Sequence, residues 1–271
     1  MRTICVVIYD THYYTMKINF LTFGAPTDDY HNAANRICRQ AEKFDLFDNI
    51  IGFTEKHLEY DDEFWPKHKD FINSNPRGYG YWLWKPYIIK KTLQSMNDGD
   101  ILLYADCGCE LNHGGKKKLL ELIESAKQKH IIGTSATSTD TTYTKMDLIK
   151  YLKMEDDVNL LATHQMAATT LIMIKNELIM NFIDEYYSIC SNNYHLIDDS
   201  PSIENNFCGF VENRHDQSVF SLLAKKYKLI NYDLDPTYCG CGFESRHSYL
   251  QSAIEYPIWT CRNRTGNSIM D

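Results

Sequence analysis

The sequence predicts an α/β fold, with a mostly parallel central sheet and helices on both faces. Three observations predict it. Short apolar runs of strand length alternate with longer segments whose apolar residues recur at helical spacing. The 271 residues hold no repeat, low-complexity stretch or Gly/Ser linker, so a single domain over 1–271 is the simplest partition. Hydrophobic residues at 44% against 24% charged are the balance of a chain that buries its own core, which excludes disordered, collagen-like and coiled-coil classes.

The elements follow in order. Ile4–Tyr9 is an apolar run that reads as a strand without a clear place in the order. Ile18–Phe23 is a strand closed by Gly24-Ala25-Pro26. Ala33, Ala34, Ile37, Cys38, Ala41 and Phe44 recur as one helix face, and Ile50–Phe53 is the next strand. Pro86 with Ile88, Ile89, Thr92, Leu93 and Met96 predicts a helix with proline in its first turn, stopped by Asn97-Asp98-Gly99. Ile101–Ala105 is a buried strand, Leu119 to Ala126 a helix, Ile131–Thr134 and Thr169–Ile174 strands. Leu178 to Cys190 is an amphipathic helix, Gln217 to Tyr227 is helical, and Leu229–Tyr232 reads as one more strand. An irregular tail begins at about residue 238.

Charge and cysteine usage narrow the function. Lys+Arg 28 against Asp+Glu 36 gives a net charge of −8, a poor match for a nucleic-acid binder with a broad basic face. Nine cysteines, an odd number scattered along the chain, do not form a disulfide framework and suit a reducing compartment. No run reaches the roughly 18 apolar residues of a membrane span, and the N-terminal run lacks a cleavage site, so a cytoplasmic location is expected. The 19 tyrosines and 12 phenylalanines suit a surface that handles sugars or rings.

In α/β sheets, ligands bind beyond the carboxyl ends of the strands. No P-loop, no complete G-x-G-x-x-G and no G-x-S-x-G elbow is present. Instead, Ile101–Ala105 ends in Asp106-Cys107-Gly108-Cys109-Glu110, where a strand-end carboxylate either caps a turn or holds a divalent cation. Asp216 before "QSVFSLL" is placed to cap a helix. Trp82 and Trp84 read as core anchors at a helix start, one of which also touches a ring. Cys107-Gly108-Cys109 and Cys239-Gly240-Cys241 would make a zinc site only by converging, at a spacing zinc sites rarely use. Asn263-Arg264-Thr265 is a sequon without meaning in the cytosol.

Three pieces in order carry a resemblance. "DILLYADCGCEL" resembles the metal-binding strand of GT-A glycosyltransferases, in which D-x-D follows the strand. "HQMAATTLIMIKNELIMNFIDEYY" is similar to their later strand-then-helix segment. "RHDQSVFSLL" is similar to the D-Q helix start of the glycogenin/galactosyltransferase type. "RGYGYWLWKPYIIKKTL" resembles a segment of small bacterial and large-virus glycosyltransferases. The pieces cover about Ile18 to Tyr232.

The resemblance implies a GT-A fold, a nucleotide diphosphate sugar donor and a glycan or protein acceptor, with hexosyl or pentosyl transfer to a hydroxyl. Residue by residue, Asp106 would bind metal or the ribose-diphosphate. Gly108 stands where the second Asp of D-x-D belongs. A manganese or magnesium ion would therefore need Glu110, His247 or water; alternatively Lys85, Arg262 or Arg264 would neutralise the diphosphate without metal. Thr22 and Gly24 would lie near the nucleoside base, with Arg36 a surface residue of the following helix and Arg77-Gly78 an edge of the site. Trp84 and Lys85 would face the nucleotide sugar. Asp216 and Gln217 would lie under the donor sugar, with His215 as base if configuration inverts. Gln165 would meet a sugar, with Ala167 and Ala168 making room and His164 in a loop. A sugar nucleotidyltransferase and a non-catalytic carbohydrate-binding protein are the alternatives.

Overall fold

A computed structural model describes residues 15–230, 232, 234–238 and 253–269. Ile4–Tyr9, His247 and the Cys239-Gly240-Cys241 segment lie outside the described residues.

All six residues of β1 (Ile18–Phe23) are buried, because both faces of this strand are covered. The chain continues through α1 (Asp28–Phe44), β2 (Asn49–Phe53), α2 (Glu55–Glu59), α3 (Phe64–Ser74), the short turn α4 (Gly78–Tyr81) and α5 (Trp84–Ser95). Next come β3 (Ile101–Ala105), β4 (Glu110–Leu111), α6 (Lys116–Lys129), β5 (Ile131–Thr139), α7 (Asp140–Tyr143), α8 (Met146–Tyr151) and α9 (Val158–Leu161). The last are β6 (His164–Ile174), α10 (Glu177–Asn192), α11 (Asp216–Lys226), β7 (Thr237–Tyr238) and β8 (Ile258–Trp259).

The main sheet has five strands in the order β2-β1-β3-β6-β5. β1 pairs in parallel with β2 and β3, whereas β6 is antiparallel to both β3 and β5. The expected mostly parallel sheet is thus corrected to a mixed one, in which β6 alone runs against four strands of common direction. The cause is the connection over residues 140–163. It leaves β5 and enters β6 at the same end of the sheet, as antiparallel neighbours require.

Helices cover both faces, as expected. Along β3, Ile101, Leu103 and Ala105 pack with α1 and α6, while Leu102 and Tyr104 pack with α5, α10 and α11. Local chemistry fixes the helices. Asp28 and Asp29 open α1 and Lys43 closes it, complementing the helix dipole, before Asp45 turns left-handed. Asn176 caps α10 by accepting from Ile179 N at 2.9 Å.

Several boundaries differ from expectation. β5 runs on to Thr139, and β6 begins at His164, so His164 is a strand residue and not a loop residue. Register shifts between Gly133/Thr134 and Ser135/Thr139 break the alternation that would have revealed this. Leu229 and Ile230 are not in a strand. In the tail, β8 pairs antiparallel with β4 and parallel with β7, in strands of two residues too short to show a period.

Candidate active site

Tyr104 and Asp106 are two residues apart, so the strand sends both side chains towards the face covered by α5, α10 and α11. Asp106 N donates to Thr169 O at 2.9 Å, extending the register one residue beyond β3. Three side chains from different elements meet here. Lys85 Nζ, from the first turn of α5, lies 3.2 Å from Asp106 Oδ1 and 3.3 Å from Asp216 Oδ2. It also donates to Ala168 O at 3.1 Å. Tyr104 Oη donates to Asp106 Oδ1 at 2.6 Å, and Tyr186 Oη donates to Asp216 Oδ2 at 3.0 Å. The Lys85 and Asp216 side chains are 4% and 5% exposed, but Asp106 is 32% exposed. Asp106 is therefore the member open to a ligand.

The electrostatics follow from one cation among two anions. Burial acts to lower the Lys85 ammonium pKa, but Asp106 and Asp216 outweigh it, and the group stays charged well into the alkaline range. Burial raises the Asp216 carboxyl; Lys85 opposes this, but neighbouring Asp106 adds to it, and the net direction is up. The two directions agree once it is seen that the cation has two partners and each anion must share one. Burial, then the adjacent carboxylates, hold Tyr104 and Tyr186 protonated.

Asp216 is not a helix cap. It is the first residue of α11, and His215 occupies the cap position with φ 54° and ψ −127° without a capping side-chain bond. His215 Nδ1 donates to Ile197 O at 2.7 Å, which leaves Nε2 buried and without a hydrogen-bond partner. Asp199 Oδ1 lies 3.8 Å from it. Burial pulls the imidazole below its ordinary pKa, so Nε2 carries a lone pair at neutral pH. Tyr81 and Trp82 stack on the ring at 5.0 and 5.3 Å.

Those two aromatics come from a left-handed turn. Gly78, Tyr79, Gly80, Tyr81 and Trp82 have φ of 60, 54, 81, 52 and 59°. Each non-glycine residue there costs about 1–2 kcal/mol, offset by packing of the rings. A Cβ at Gly78 would meet the Trp82 ring at 2.4 Å, and one at Gly80 would meet Ile72 Cγ1 at 2.7 Å, so neither can be replaced without movement. Trp84 Nε1 donates to Gly78 O at 2.9 Å, and its ring stacks on Phe23 at 3.9 Å, which fixes the start of α5. Arg77 binds both Asp199 oxygens at 2.9 and 3.0 Å, tying this turn to the loop before His215.

Other expected site residues fall elsewhere. Gln217 Nε2 donates to Gln165 Oε1 at 3.0 Å, but Gln165 is fully buried and donates onward to Asp140 Oδ1 at 3.0 Å and Thr144 Oγ1 at 3.1 Å. Asp140 in turn pairs with Lys225 at 2.5 Å, both side chains fully buried. Thr22 Oγ1 donates to Ala105 O at 2.8 Å, pinning β1 to the end of β3. Gly24 is required by packing, since a Cβ there would lie 2.2 Å from Tyr30 O.

Arg36, expected on the surface, is 2% exposed and donates to four carbonyls: Cys107, Cys109, Asn263 and Thr265, at 2.6–3.0 Å. It thereby fastens the segment holding Arg262 and Arg264 against the loop after Asp106. Both arginines are exposed there, Arg264 over the Tyr30 ring at 5.3 Å.

The described residues do not fit a divalent cation at Asp106. Glu110 is fully buried, and its oxygens accept from Gln40, Asn263, Ser268 and Ile269 N. Burial pushes the Cys107 thiol up to about 12 and Cys109 well above its ordinary value, so neither is a thiolate ligand. Among the described residues, no three His, Cys, Asp or Glu side chains gather as a metal-binding group. No described helix is long and apolar enough to cross a membrane.

Sequence reading missed Tyr104, Tyr186, Asp140 and Lys225. A tyrosine in the aliphatic run "ILLYA", two residues before an aspartate, was the available signal for the first. A fully buried hydroxyl needs an acceptor, and the aspartate shares its face.

No family model and no curated protein matches the chain. It is similar in outline to several solved structures. A glycosyltransferase involved in the glycosylation of the major capsid of PBCV-1 is 10% identical, over 94% of this chain and 95% of that one, with a TM-score of 0.45. Mouse xyloside xylosyltransferase 1, in its apo form, is 10% identical over 90% and 97%, with a TM-score of 0.47. Galactosyltransferase LgtC, in complex with donor and acceptor sugar analogues, is 12% identical over 90% and 86%, with a TM-score of 0.37. At this identity and overlap, the likenesses assign no activity to the chain.

Proposed function

We propose that this protein is a glycosyltransferase of the GT-A type, moving a hexosyl or pentosyl group from a nucleotide diphosphate sugar to a hydroxyl of a glycan or protein. One observation carries the reading. Two carboxylates from separate elements, Asp106 at the end of β3 and Asp216 at the start of α11, are held together by Lys85, with only Asp106 open to solvent. The reading places the ribose and diphosphate beside Asp106, where the exposed Arg262 and Arg264 face phosphate oxygens. The donor sugar then lies towards Asp216.

In the reaction, the acceptor oxygen bonds to the anomeric carbon, the carbon–phosphate oxygen bond breaks, and the nucleotide diphosphate leaves with the electron pair. The acceptor proton needs a base, and His215 Nε2 is neutral, oriented by Ile197 O and without a partner. Asp216 stabilises positive charge developing on the sugar ring. Action as one domain in the cytoplasm belongs to the same proposal.

The rival with an observation in its favour is a non-catalytic carbohydrate binder, since both carboxylates are already engaged by Lys85. Incubation with a panel of nucleotide sugars separates the two. Release of free nucleotide or sugar that is lost in Asp216→Asn is expected. Absence of binding to UDP, GDP or any other nucleoside diphosphate by calorimetry would overturn the transferase reading.

A further inference from the structure

An ammonium group has three N–H donors, and at Lys85 each finds one oxygen: Asp106 Oδ1 at 3.2 Å, Asp216 Oδ2 at 3.3 Å and Ala168 O at 3.1 Å. Two carboxylate oxygens and a backbone carbonyl are also the donors a hard divalent cation selects. We infer that Lys85 occupies the position of a divalent cation between Asp106 and Asp216, and that a diphosphate ligand binds beside it without metal. The second half rests on the nucleotide-sugar reading; the first stands without it.

The surroundings agree. A cation bridging both carboxylates would have to evict an ammonium that is 4% exposed, on a stem anchored in the first turn of α5. Displaced from Asp106 and Asp216, that charge would lose both anions near it, a costly state inside a protein. The loop after Asp106 offers no substitute ligand. Gly108 brings no side chain, its carbonyl accepts from Asn263 N at 2.9 Å, and a Cβ there would lie 3.4 Å from Arg262 Cα. That is ordinary contact, so what this position lacks is the acid itself and not the room for one.

The test uses manganese alone, titrated into the full chain and followed by the electron paramagnetic resonance of the free ion, with circular dichroism to confirm folding. Wild type and Asp106→Asn should give the same titration. Lys85→Ala removes the ammonium and leaves its oxygen shell, and should bind manganese at least tenfold more tightly than wild type. That gain should vanish when Asp106→Asn is added. Manganese binding by wild type that Asp106→Asn abolishes would overturn the inference, as would a folded Lys85→Ala that gains no site. Should Lys85→Ala fail to fold, the wild-type and Asp106→Asn pair decides alone. Calorimetry with UDP and GDP in EDTA or manganese then tests the second half, with affinities expected to agree within about twofold. A metal-dependent affinity overturns it, while no binding in either condition removes the transferase reading and leaves the manganese result untouched.

Discussion

Two of the lysine–aspartate networks built on a buried lysine share α11, and they differ in charge balance and in access. In one, Lys85 serves both Asp106 and Asp216, leaving one surplus negative charge and a carboxylate open to solvent. In the other, Lys225 pairs with Asp140 alone, both fully buried, and Gln165, Thr144 and Ser221 complete the hydrogen bonds of that carboxylate. The second is balanced and closed, as expected of a brace between α7, β6 and α11. The first is unbalanced and open, an arrangement with no purely structural advantage. Burial of charge alone does not mark a site; the surplus does.

The same substitution made in each network should therefore act on different observables. Asp140→Asn leaves the buried Lys225 ammonium without its anion, and stability should fall by about 3–5 kcal/mol. Chemical denaturation measures this, and a loss below about 1 kcal/mol would erase the distinction. Asp216→Asn instead removes the surplus charge and leaves Lys85 balanced by Asp106. Turnover should fall about 100-fold or more while stability changes by less than about 1 kcal/mol. An Asp216→Asn protein that loses about 3 kcal/mol or more of stability, yet turns over at the wild-type rate while folded, would make the two networks alike.

Smaller effects sharpen the open side. Arg262→Ala and Arg264→Ala should each weaken nucleoside diphosphate binding about tenfold, the worth of one charge-assisted contact to phosphate. Calorimetry decides, and full affinity in both variants would move the diphosphate elsewhere. The smallest expected effect is a displaced pH limb. Because burial lowers the His215 pKa, its base form persists as pH falls, and activity should survive below the ordinary histidine value of about 6.5 before protonation removes it. The sign for stability is the same, since the unfolded chain takes up a proton first and stability declines below about 6.5. An acid limb at or above that value would take His215 out of the base role.

The sequence made the centre of the fold legible because burial on both faces writes long apolar runs. β1 and β3 have the bounds their runs predicted, Ile18–Phe23 and Ile101–Ala105. The direction of β6 was not legible, since nothing local distinguishes a helical crossover from the returning turns of α7 to α9. α3 was invisible for another reason: only Phe64, His68 and Ile72 of its face are buried, and one of those three is polar. In the site, Asp106, Asp216 and Lys85 were each visible as types at informative positions. Their convergence was not, because the three lie on separate elements and only packing unites them. Gln165 misled for the complementary reason, its partner Asp140 being 25 residues away in a connection without a periodic face.

Trp82 lies stacked on His215, 5.3 Å between ring centres, so the molecule carries an optical probe of that imidazole. An excited indole loses emission to a protonated imidazole in contact with it. Fluorescence lost on acidification, and absent from Trp82→Phe, would therefore follow the His215 proton directly. With four tryptophans in the chain, the difference between the two proteins supplies the signal. The left-handed turn that holds Trp82 in place thus makes the protonation state of one buried nitrogen readable in a cuvette, without any substrate being added.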